Sequence, residues 1–431
     1  MLPIRKMIGD GVALNIIPTD KFKTNCITVR FLCPMAKETA SLNALLPYVL
    51  KRGCRRLPTM AALTKELQML YGSELQPTVG RFGDTQHFSF FSYPLRDSYT
   101  DSTNVSAEIL SLMSELIRDP LLENDLLKAE YVESEKKALI DRVKAAINNK
   151  SSYAIRRCIE EMGKGDSLSI PEAGTVEQIE AITPASLTKH LNDVIKCARI
   201  EIWCVGVFDA EGLESACRRL FVFPERAPYD LTETVAIKSA EKVNNVTEDQ
   251  PVKQGKLSLG FTTSLRSTPE VSAKFSLFMS VLSSSPTSKL FMNVREKLSL
   301  CYYCYAIPDR KKGTIVISSG IEVENKETAE RAIIEEIEAI KRGEISDEEL
   351  SSAKKALLSG AKGISDDMAA MTNWWFSQLG WDHLITPEEY TEQINALALS
   401  DVSAVASTLK LHTVYFLNGT LTGEEEDDDY E

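Results

Sequence analysis

The chain contains the same succession of predicted elements twice, and this repetition restricts the possible folds more than any other feature. A hairpin, a helix, a long charged helix, shorter helices and a closing strand recur in that order. The tetrapeptide KKAL lies in the first long helix, at Lys136–Leu139, and again in the second, at Lys354–Leu357. A repeat of about 220 residues indicates a duplicated domain, because solenoids and propellers repeat every ~20–50 residues.

Alternating apolar residues predict the strands of both halves. The dipeptide Gly83-Asp84 predicts a tight hairpin between strands at Leu75–Phe82 and Thr85–Tyr93. The buried stretch RIEIWCVGV at Arg199–Val207 predicts the strand that closes the first half. The corresponding strands of the second half are predicted at Gly255–Thr262, Tyr302–Ile307, Thr314–Ile321 and Thr413–Leu417. We therefore predict an α+β fold, in which each half forms a mostly antiparallel sheet with helices packed on one face.

The length of the chain supports a division into two domains. A chain of 431 residues exceeds what one hydrophobic core usually serves. We predict an N-terminal domain at 1–223 and a C-terminal domain at 255–422. Residues 224–254 are polar and contain proline, which predicts a linker, with a strand at Thr232–Ile237. Residues 423–431 are almost wholly acidic and predict a disordered tail.

Charge and hydropathy exclude several classes of function. The formal net charge of −13 argues against nucleic acids and anionic membranes as main partners. No apolar run approaches the roughly 18 residues that a membrane-spanning helix needs. The residues before Asp10 also lack the apolar core of a signal peptide. These features together predict a cytoplasmic protein.

The segment KLFMNVREKLSLCYYCY, at Lys289–Tyr305, predicts the end of a helix, a turn and the start of a strand. Arg295 and Tyr302 lie on either side of that turn. A guanidinium offers a fixed fork of donors and a phenol offers one directional hydrogen bond, which together suit the binding of a peptide backbone. The structural alternative is an arginine that complements the helix dipole and a tyrosine whose ring packs in the core. The spacing by itself favours this alternative.

Three neighbouring features predict structural roles. Cys301 and Cys304 are the one close pair among the nine cysteines. In a regular strand, residues i and i+3 point to opposite faces, so we expect two small buried thiols rather than a metal or redox site. Arg310–Lys312 is interpreted as a polar hairpin turn, and Trp374–Phe376 is predicted to pack in the core.

The segment LFMNVREKLSLCYY, at Leu290–Tyr303, resembles the C-terminal signature of the insulinase and mitochondrial-processing-peptidase family. In that signature a helix ending Arg-Glu-Lys is followed by leucine and tyrosine. The letters G-T, I and I-T within Gly174–Thr183 are similar to a second pattern of the same family. The resemblance covers essentially the whole chain and implies two homologous α+β domains that face each other around a peptide-binding chamber. It also implies that Arg295 and Tyr302 hydrogen-bond substrate carbonyl oxygens near the scissile bond.

The chain departs from the family pattern where the metal is bound. Active members carry His-x-x-Glu-His on the first helix, and a distal glutamate completes the zinc site. Alignment of LNALLPYVLKRG, at Leu42–Gly53, on its final Arg-Gly places Ala44, Pro47 and Tyr48 at these three positions. The distal position falls on Arg142. None of the residues at the three motif positions can bind zinc or act as a base in those roles. The arginine at the distal position is a cation and would repel a metal. No metal is therefore expected in this chain.

A member with the Arg/Tyr pair but without the zinc motif resembles the non-catalytic half of a bacterial processing-peptidase-like pair. This resemblance implies a substrate-clamping subunit of a heterodimeric metallopeptidase that has no activity alone. The homologous partner would bring His-x-x-Glu-His and the zinc, and the substrates would be peptides or unfolded segments. Two alternatives stay open: a purely structural core or scaffold subunit of the same fold, and an enzyme with an unusual site.

Overall fold

A computed structural model describes residues 2–101, 104–231 and 234–421. The predicted acidic tail at 423–431 lies outside this part of the chain. The described residues form two compact units, and each unit draws on three separate stretches of sequence. The first unit takes its residues from 1–143, 170–233 and 365–379, and the second from 144–169, 234–364 and 380–431.

The strands form two large sheets and one small hairpin. Their bounds are β1 Ile4–Gly9, β2 Val12–Pro18, β3 Cys26–Pro34, β4 Gln76–Phe82, β5 Thr85–Ser92, β6 Leu122–Glu123, β7 Leu126–Leu127, β8 Arg199–Gly206, β9 Asn244–Gln250, β10 Gly255–Thr262, β11 Cys301–Asp309, β12 Thr314–Ile321 and β13 Lys410–Gly419. The strands predicted around Gly83-Asp84, at Arg199–Val207 and throughout the second half are confirmed within one to three residues at their ends.

Helices connect these strands, and most begin at a side-chain cap. Their bounds are α1 Ala40–Leu50, α2 Met60–Met69, α3 Val105–Arg118, α4 Ala129–Ala145, α5 Lys150–Met162, α6 Val176–Glu180, α7 Pro184–Cys197, α8 Ala210–Phe221, α9 Pro269–Met279, α10 Lys326–Lys341, α11 Asp347–Gly363, α12 Met368–Ser377, α13 Pro387–Ala396 and α14 Leu399–Ser407. Two further segments, Ser280–Ser284 and Leu290–Lys297, are π-helical. Capping boxes at Thr175, Thr183 and Ser346 explain where α6, α7 and α11 start.

The two large sheets have the same topology. The first has the order β1-β2-β8-β3-β5-β4, and the second has the order β9-β13-β10-β12-β11. When β1 is left out, each strand of the first sheet has a counterpart in the second: β2 corresponds to β9, β8 to β13, β3 to β10, β5 to β12 and β4 to β11. In each sheet the closing strand has one parallel neighbour, β2 beside β8 and β9 beside β13, and the remaining pairs are antiparallel. The predicted α+β fold of two homologous halves is confirmed.

Each unit contains one helix that comes from the other half of the sequence, and this helix packs on the sheet of that unit. In β3, Arg30 alternates with the core residues Val29 and Phe31 and so points to the opposite face of the sheet. On that face Arg30 lies 4.0 Å from the ring centroid of Phe376 and donates to the Asn373 side chain at 2.8 Å, both on α12.

The reciprocal contact is made by α5 on the second sheet. The Cys158 thiol donates to the Ser258 carbonyl of β10 at 3.7 Å. A Cβ added at Gly260 would lie 2.2 Å from the Met162 sulfur, so the glycine leaves room for this side chain of α5 in its present position. Sequence order would assign α5 to the first half and α12 to the second, but the contacts place each helix in the other unit.

The segment predicted as a linker, 224–254, differs from that prediction. It contains β9, which pairs in parallel with β13 and so belongs to the second sheet. Residues 234–240 form no strand, and the described part of the predicted Thr232–Ile237 strand is therefore wrong. The strand β9 itself was not predicted, because its sequence NNVTEDQ lacks the apolar alternation that indicates a strand. It lies at the edge of the sheet, and its side chains are only half-buried or exposed.

Arg310–Lys312 lie in the hairpin turn between β11 and β12, as predicted, but these polar side chains are not simply solvated. The Lys312 side chain is fully buried, and its Nζ lies 2.7 Å from the Asp166 carboxylate. Arg310 donates to two serine hydroxyls of α9 at 3.3 and 3.0 Å. Composition marks a segment as polar but does not reveal which distant residues cover it.

The prediction that Trp374–Phe376 packs in the core is confirmed for Trp375 and Phe376, which are buried.

Candidate functional site

The segment Leu290–Lys297 places Arg295 in its last turn. The Leu298 amide donates to the Asn293 carbonyl at 3.2 Å, which is the i to i−5 spacing of a π-helix. Ser299 follows with a φ of 50°, the left-handed conformation that commonly ends a helix. The Asn293 side chain donates to Glu336 of α10 at 2.8 Å and fixes the segment to its neighbour. The arginine is therefore held on an irregular but anchored helix end.

The guanidinium of Arg295 lies between two aromatic rings. Its central carbon is 4.8 Å from the ring centroid of Phe291 and 5.9 Å from that of Tyr302. The Glu296 carboxylate lies 3.6 Å from Nε. The side chain remains 38% exposed. Aromatic faces hold a guanidinium in place without occupying its N–H donors, so this arrangement can present a fork of donors to a ligand.

Tyr302 sits at a β-bulge on the open edge of the second sheet. Cys301 pairs with Ile321 and Tyr303 pairs with Gly320, so Tyr302 is the extra residue between two paired positions. A bulge redirects the side chain of the extra residue. The Tyr302 ring is 68% exposed. The sequence-based alternative of a tyrosine ring packed in the core is therefore wrong for this side chain.

The bulge also changes the orientation of the two cysteines. Cys301 and Cys304 pair with Ile321 and Ser319, which lie two residues apart on one strand and so share a face. The prediction that the cysteines point to opposite faces is therefore wrong. The pKa of Cys301 is lowered to about 7, mainly by a hydrogen bond with the Cys304 thiol and further by Ser319 and the charge of Arg295, with burial acting in the opposite direction.

The stretch aligned with the zinc motif lies on α1. Ala44 and Pro47 are buried there, and Ala44 belongs to the apolar core of the first unit. Tyr48 is half-buried, and the Arg142 guanidinium of α4 lies 4.2 Å from its ring centroid. The structure thus brings together the residues aligned with the second histidine and with the distal glutamate. It fills the space with a cation–π contact rather than with metal ligands.

A cavity of about 400 Å³ opens beside this contact. Sequence reasoning did not single out its charged lining. Lys51 donates to the Gln76 side chain at 3.0 Å, and Arg52 donates to Glu135 at 3.2 Å. Tyr48 completes one wall. Two cations and one carboxylate do not form a donor set for zinc, which binds neutral imidazole, thiolate and carboxylate groups. Within the described ranges, no three His, Cys, Asp or Glu side chains form a group that could hold a metal ion.

A buried polar network lies under α1. The Asn43 amide donates to the Gln86 side chain at 2.9 Å, and its oxygen lies 2.8 Å from Nε2 of His190. Burial lowers the pKa of His190 to about 4. The imidazole is neutral at pH 7 and is bound within the core of the first unit, so it has a structural role.

The comparisons with known proteins agree with this geometry. A family model described as "Peptidase M16 inactive domain" matches residues 181–357. The Bacillus subtilis (strain 168) protein called "Probable inactive metalloprotease YmfF" is 30% identical over 411 residues, which cover 95% of this chain and 96% of the relative. The chain belongs to the M16 peptidase family. The family model describes an inactive domain and the relative's name describes a probable inactive metalloprotease; in agreement with both, this M16 chain is a non-catalytic, insulinase-like member.

Solved structures support the M16 fold over the full length. A conserved protein from Enterococcus faecalis V583 has a TM-score of 0.91 and 25% identity, and the match covers 98% of this chain and 100% of that one. A peptidase M16 inactive domain from Pseudomonas fluorescens has a TM-score of 0.79 and 16% identity, with 99% and 100% covered. In the described parts of this chain, none of the helices has both the length and the apolar character needed to cross a membrane.

Proposed function

We propose that this M16 chain is the non-catalytic, substrate-clamping subunit of a heterodimeric zinc metallopeptidase. The partner is a homologous chain that carries His-x-x-Glu-His and the zinc, and the pair cleaves peptides or unfolded segments in the cytoplasm. The observation that carries the proposal is the convergence of Arg295 and Tyr302 at the open edge of the second sheet. Both side chains remain accessible there while their backbones are anchored.

The chemistry of the pair suits a peptide backbone. A guanidinium held on aromatic faces keeps its charge and its planar fork of donors, which can bind one or two carbonyl oxygens. The exposed Tyr302 phenol adds one short, directional donor within reach of the same ligand. Such donors stabilise a carbonyl oxygen most when negative charge develops on it, as happens during peptide hydrolysis.

The described residues of the first unit that align with the zinc motif supply no competing site for the chemical step. Ala44 and Pro47 carry no ionisable group, and the Arg142 guanidinium covers the Tyr48 ring. Water activation at a metal must therefore come from the partner chain in this proposal. The division of labour explains how a chain without metal ligands can contribute to peptide cleavage.

The test reconstitutes the pair from this chain and a homologue of the same organism that carries His-x-x-Glu-His. Cleavage of a fluorescence-quenched peptide mixture is measured. Arg295→Ala removes a charged hydrogen bond of about 1.5–3 kcal/mol, so kcat/KM should fall roughly 10- to 100-fold. Tyr302→Phe removes a neutral hydrogen bond of about 0.5–1.5 kcal/mol, so the loss should be roughly 3- to 10-fold.

Lys297→Ala is the matched control, because Lys297 is an exposed cation two residues from Arg295. It should leave cleavage unchanged. Size-exclusion chromatography should show that each variant still binds the partner. If Arg295→Ala and Tyr302→Phe cleave as fast as the native pair, the clamp is excluded and the chain is a scaffold subunit.

A further inference from the structure

Cys301 and Cys304 form a Cys-x-x-Cys pair that the proposed clamp does not use. The bulge at Tyr302 turns the two side chains toward one face of β11, although three residues separate them. On this face each thiol affects the pKa of the other. Ser319, directly opposite Cys304 in the ladder, affects the pKa of both.

The two thiols differ in accessibility. Cys301 is half-buried, whereas Cys304 is only 7% exposed. The positive charge of Arg295 favours the thiolate of Cys301. The pKa of Cys304 is raised by its hydrogen bond with Cys301, by burial and by repulsion from the Cys301 charge. One thiol is thus half-exposed and, with a pKa of about 7, partly ionised near neutral pH, whereas the other is buried and stays protonated.

The remaining cysteines do not share this environment. Six are buried, and Cys197 alone is half-buried. Burial raises the pKa of Cys26 to about 11 and that of Cys33 to about 12. A buried thiol with a raised pKa has little thiolate and is inert. The nearby arginine and the half-open thiol therefore set the Cys301–Cys304 pair apart.

We propose that Cys301 and Cys304 form a thiol-modification site, at which a low-molecular-weight disulfide is reduced and an intramolecular disulfide forms across the bulge. Cys301 is the attacking group and Cys304 is the resolving group. The inference rests on the dithiol and its surroundings, so it stands independently of any peptide binding by Arg295 and Tyr302.

The reaction consists of two exchanges. The Cys301 thiolate attacks one sulfur of the disulfide, forms a mixed disulfide and releases one thiolate. This step removes the negative charge that raised the pKa of Cys304. Cys304 then attacks the Cys301 sulfur, and the second small thiol leaves with the proton of Cys304. Two protein thiols are oxidised to one disulfide, and one small disulfide is reduced to two thiols.

The product would span the bulged residue. Tyr302 lies between the two bonded cysteines, so the disulfide would limit the backbone freedom of that residue. In the reduced chain the bulge is held by the ladder on either side of it and by the Ser319 hydroxyl, which donates to the Tyr303 carbonyl at 3.1 Å. The modification would therefore act directly on the conformation of the exposed tyrosine.

The test uses the reduced full chain and oxidised glutathione at pH 7. After acid quenching, free thiols are alkylated and the peptides are mapped by mass spectrometry. In the native chain Cys301 and Cys304 should lose their free thiols together, with no lasting glutathione adduct. Cys304→Ser should retain glutathione on Cys301, and Cys301→Ser should leave Cys304 unmodified. Thermal unfolding of each variant confirms that it is folded.

Cys197→Ser is the control, because it removes the other half-buried cysteine. It should react as the native chain does. The rate should level off as pH passes about 7, and at pH 7 Cys301 should react roughly five- to tenfold faster than a thiol of ordinary pKa. A glutathione adduct that persists on Cys301 of the native chain would exclude Cys304 as the resolving group. Equal reaction at Cys197 would overturn the proposed selectivity.

Discussion

The two units are built on one framework but differ in the chemistry placed on it. A lysine of each KKAL repeat shows how closely the frameworks agree. Lys136 donates to the carbonyls of Glu180 and Ile182 at 3.0 and 2.7 Å, just past the end of α6. Lys354 donates to those of Asn395 and Leu397 at 3.0 and 2.6 Å, at the end of α13. Each lysine caps the end of the second helix after its own, at the equivalent place in the two units.

Each unit also contains an arginine–tyrosine contact in its family motif, and these contacts differ. In the first unit the Arg142 guanidinium lies 4.2 Å above the half-buried ring of Tyr48. In the second the Arg295 guanidinium lies 5.9 Å from Tyr302, whose ring is mostly exposed. The close contact joins two of the residues that the sequence alignment places at the zinc-ligand positions of active relatives. The loose contact leaves donors accessible. An arginine and a tyrosine therefore pack against each other in the first unit, whereas in the second unit the same residue types remain accessible to a ligand.

The exchange of helices allows the strongest test of this comparison. Phe376 of α12 is buried against Arg30, Phe82 and His87 of the first sheet. Phe376→Ala should lower the free energy of unfolding by about 3–5 kcal/mol, because it removes a buried ring and leaves a cavity. Hydrogen exchange should show the loss of protection in β3 and β5. The exposed neighbour Ser377→Ala is the control. A loss confined to β10 and β12 would break the assignment of α12 to the first unit.

The two capping lysines offer a second test. Lys136→Met should destabilise by about 2–3 kcal/mol, because buried carbonyls lose a charged donor. Lys354→Met should cost about 1 kcal/mol, because water can replace the lysine at this more exposed helix end. Lys137→Met and Lys355→Met change the exposed neighbours and should have little effect. Urea unfolding measures all four. No change in either capping variant would show that the shared KKAL letters carry no shared structural role.

The response to acid should be larger in the first unit than in the second, where burial lowers the pKa of one described histidine, His412. Burial lowers the pKa of His87 and of His190 to about 4, and both lie in the first unit. The unfolded chain binds protons at a pKa near 6.5, so stability is full above that pH and is lost as pH falls toward 4. Between pH 7 and pH 5 each histidine should remove about 1–2 kcal/mol.

The variant that checks this effect is His190→Gln, which cannot titrate. Its free energy of unfolding should fall less between pH 7 and pH 5 than that of the native chain. His383→Gln changes an exposed histidine of the second unit and should leave the pH dependence as it is. An identical pH dependence in all three chains would contradict the assigned role of the buried imidazole.

Much of the arrangement of helices and strands could be predicted from local signals in the sequence. Strand alternation and helix caps such as Thr175, Thr183 and Ser346 depend on neighbouring residues, so they are visible in the letters. The strand β9 was missed because its residues are polar and lie at a sheet edge. The exchange of α5 and α12 was missed because it depends on contacts between residues far apart in sequence.

At the candidate site, too, the sequence predicts what depends on neighbouring residues and misses what depends on distant contacts. Arg295 and Tyr302 could be chosen from their motif, and their proximity follows from one helix end and one strand. The bulge at Tyr302 could not be predicted, because it depends on the register of β11 against β12. That single register shift exposes the tyrosine and turns Cys301 and Cys304 to one face. The contact of Arg142 with Tyr48 likewise depends on how α4 packs on α1.

The central claim is that the first unit keeps the framework of a metallopeptidase without its metal chemistry. The most direct measurement is the zinc content of the purified chain after saturation with zinc and removal of free metal, with the His-x-x-Glu-His homologue treated in parallel. The account predicts one zinc per molecule in the homologue and none in this chain. Stoichiometric zinc in this chain that is lost on Tyr48→Phe or Arg142→Ala would contradict the assignment of those residues to a cation–π contact and, with it, the non-catalytic role.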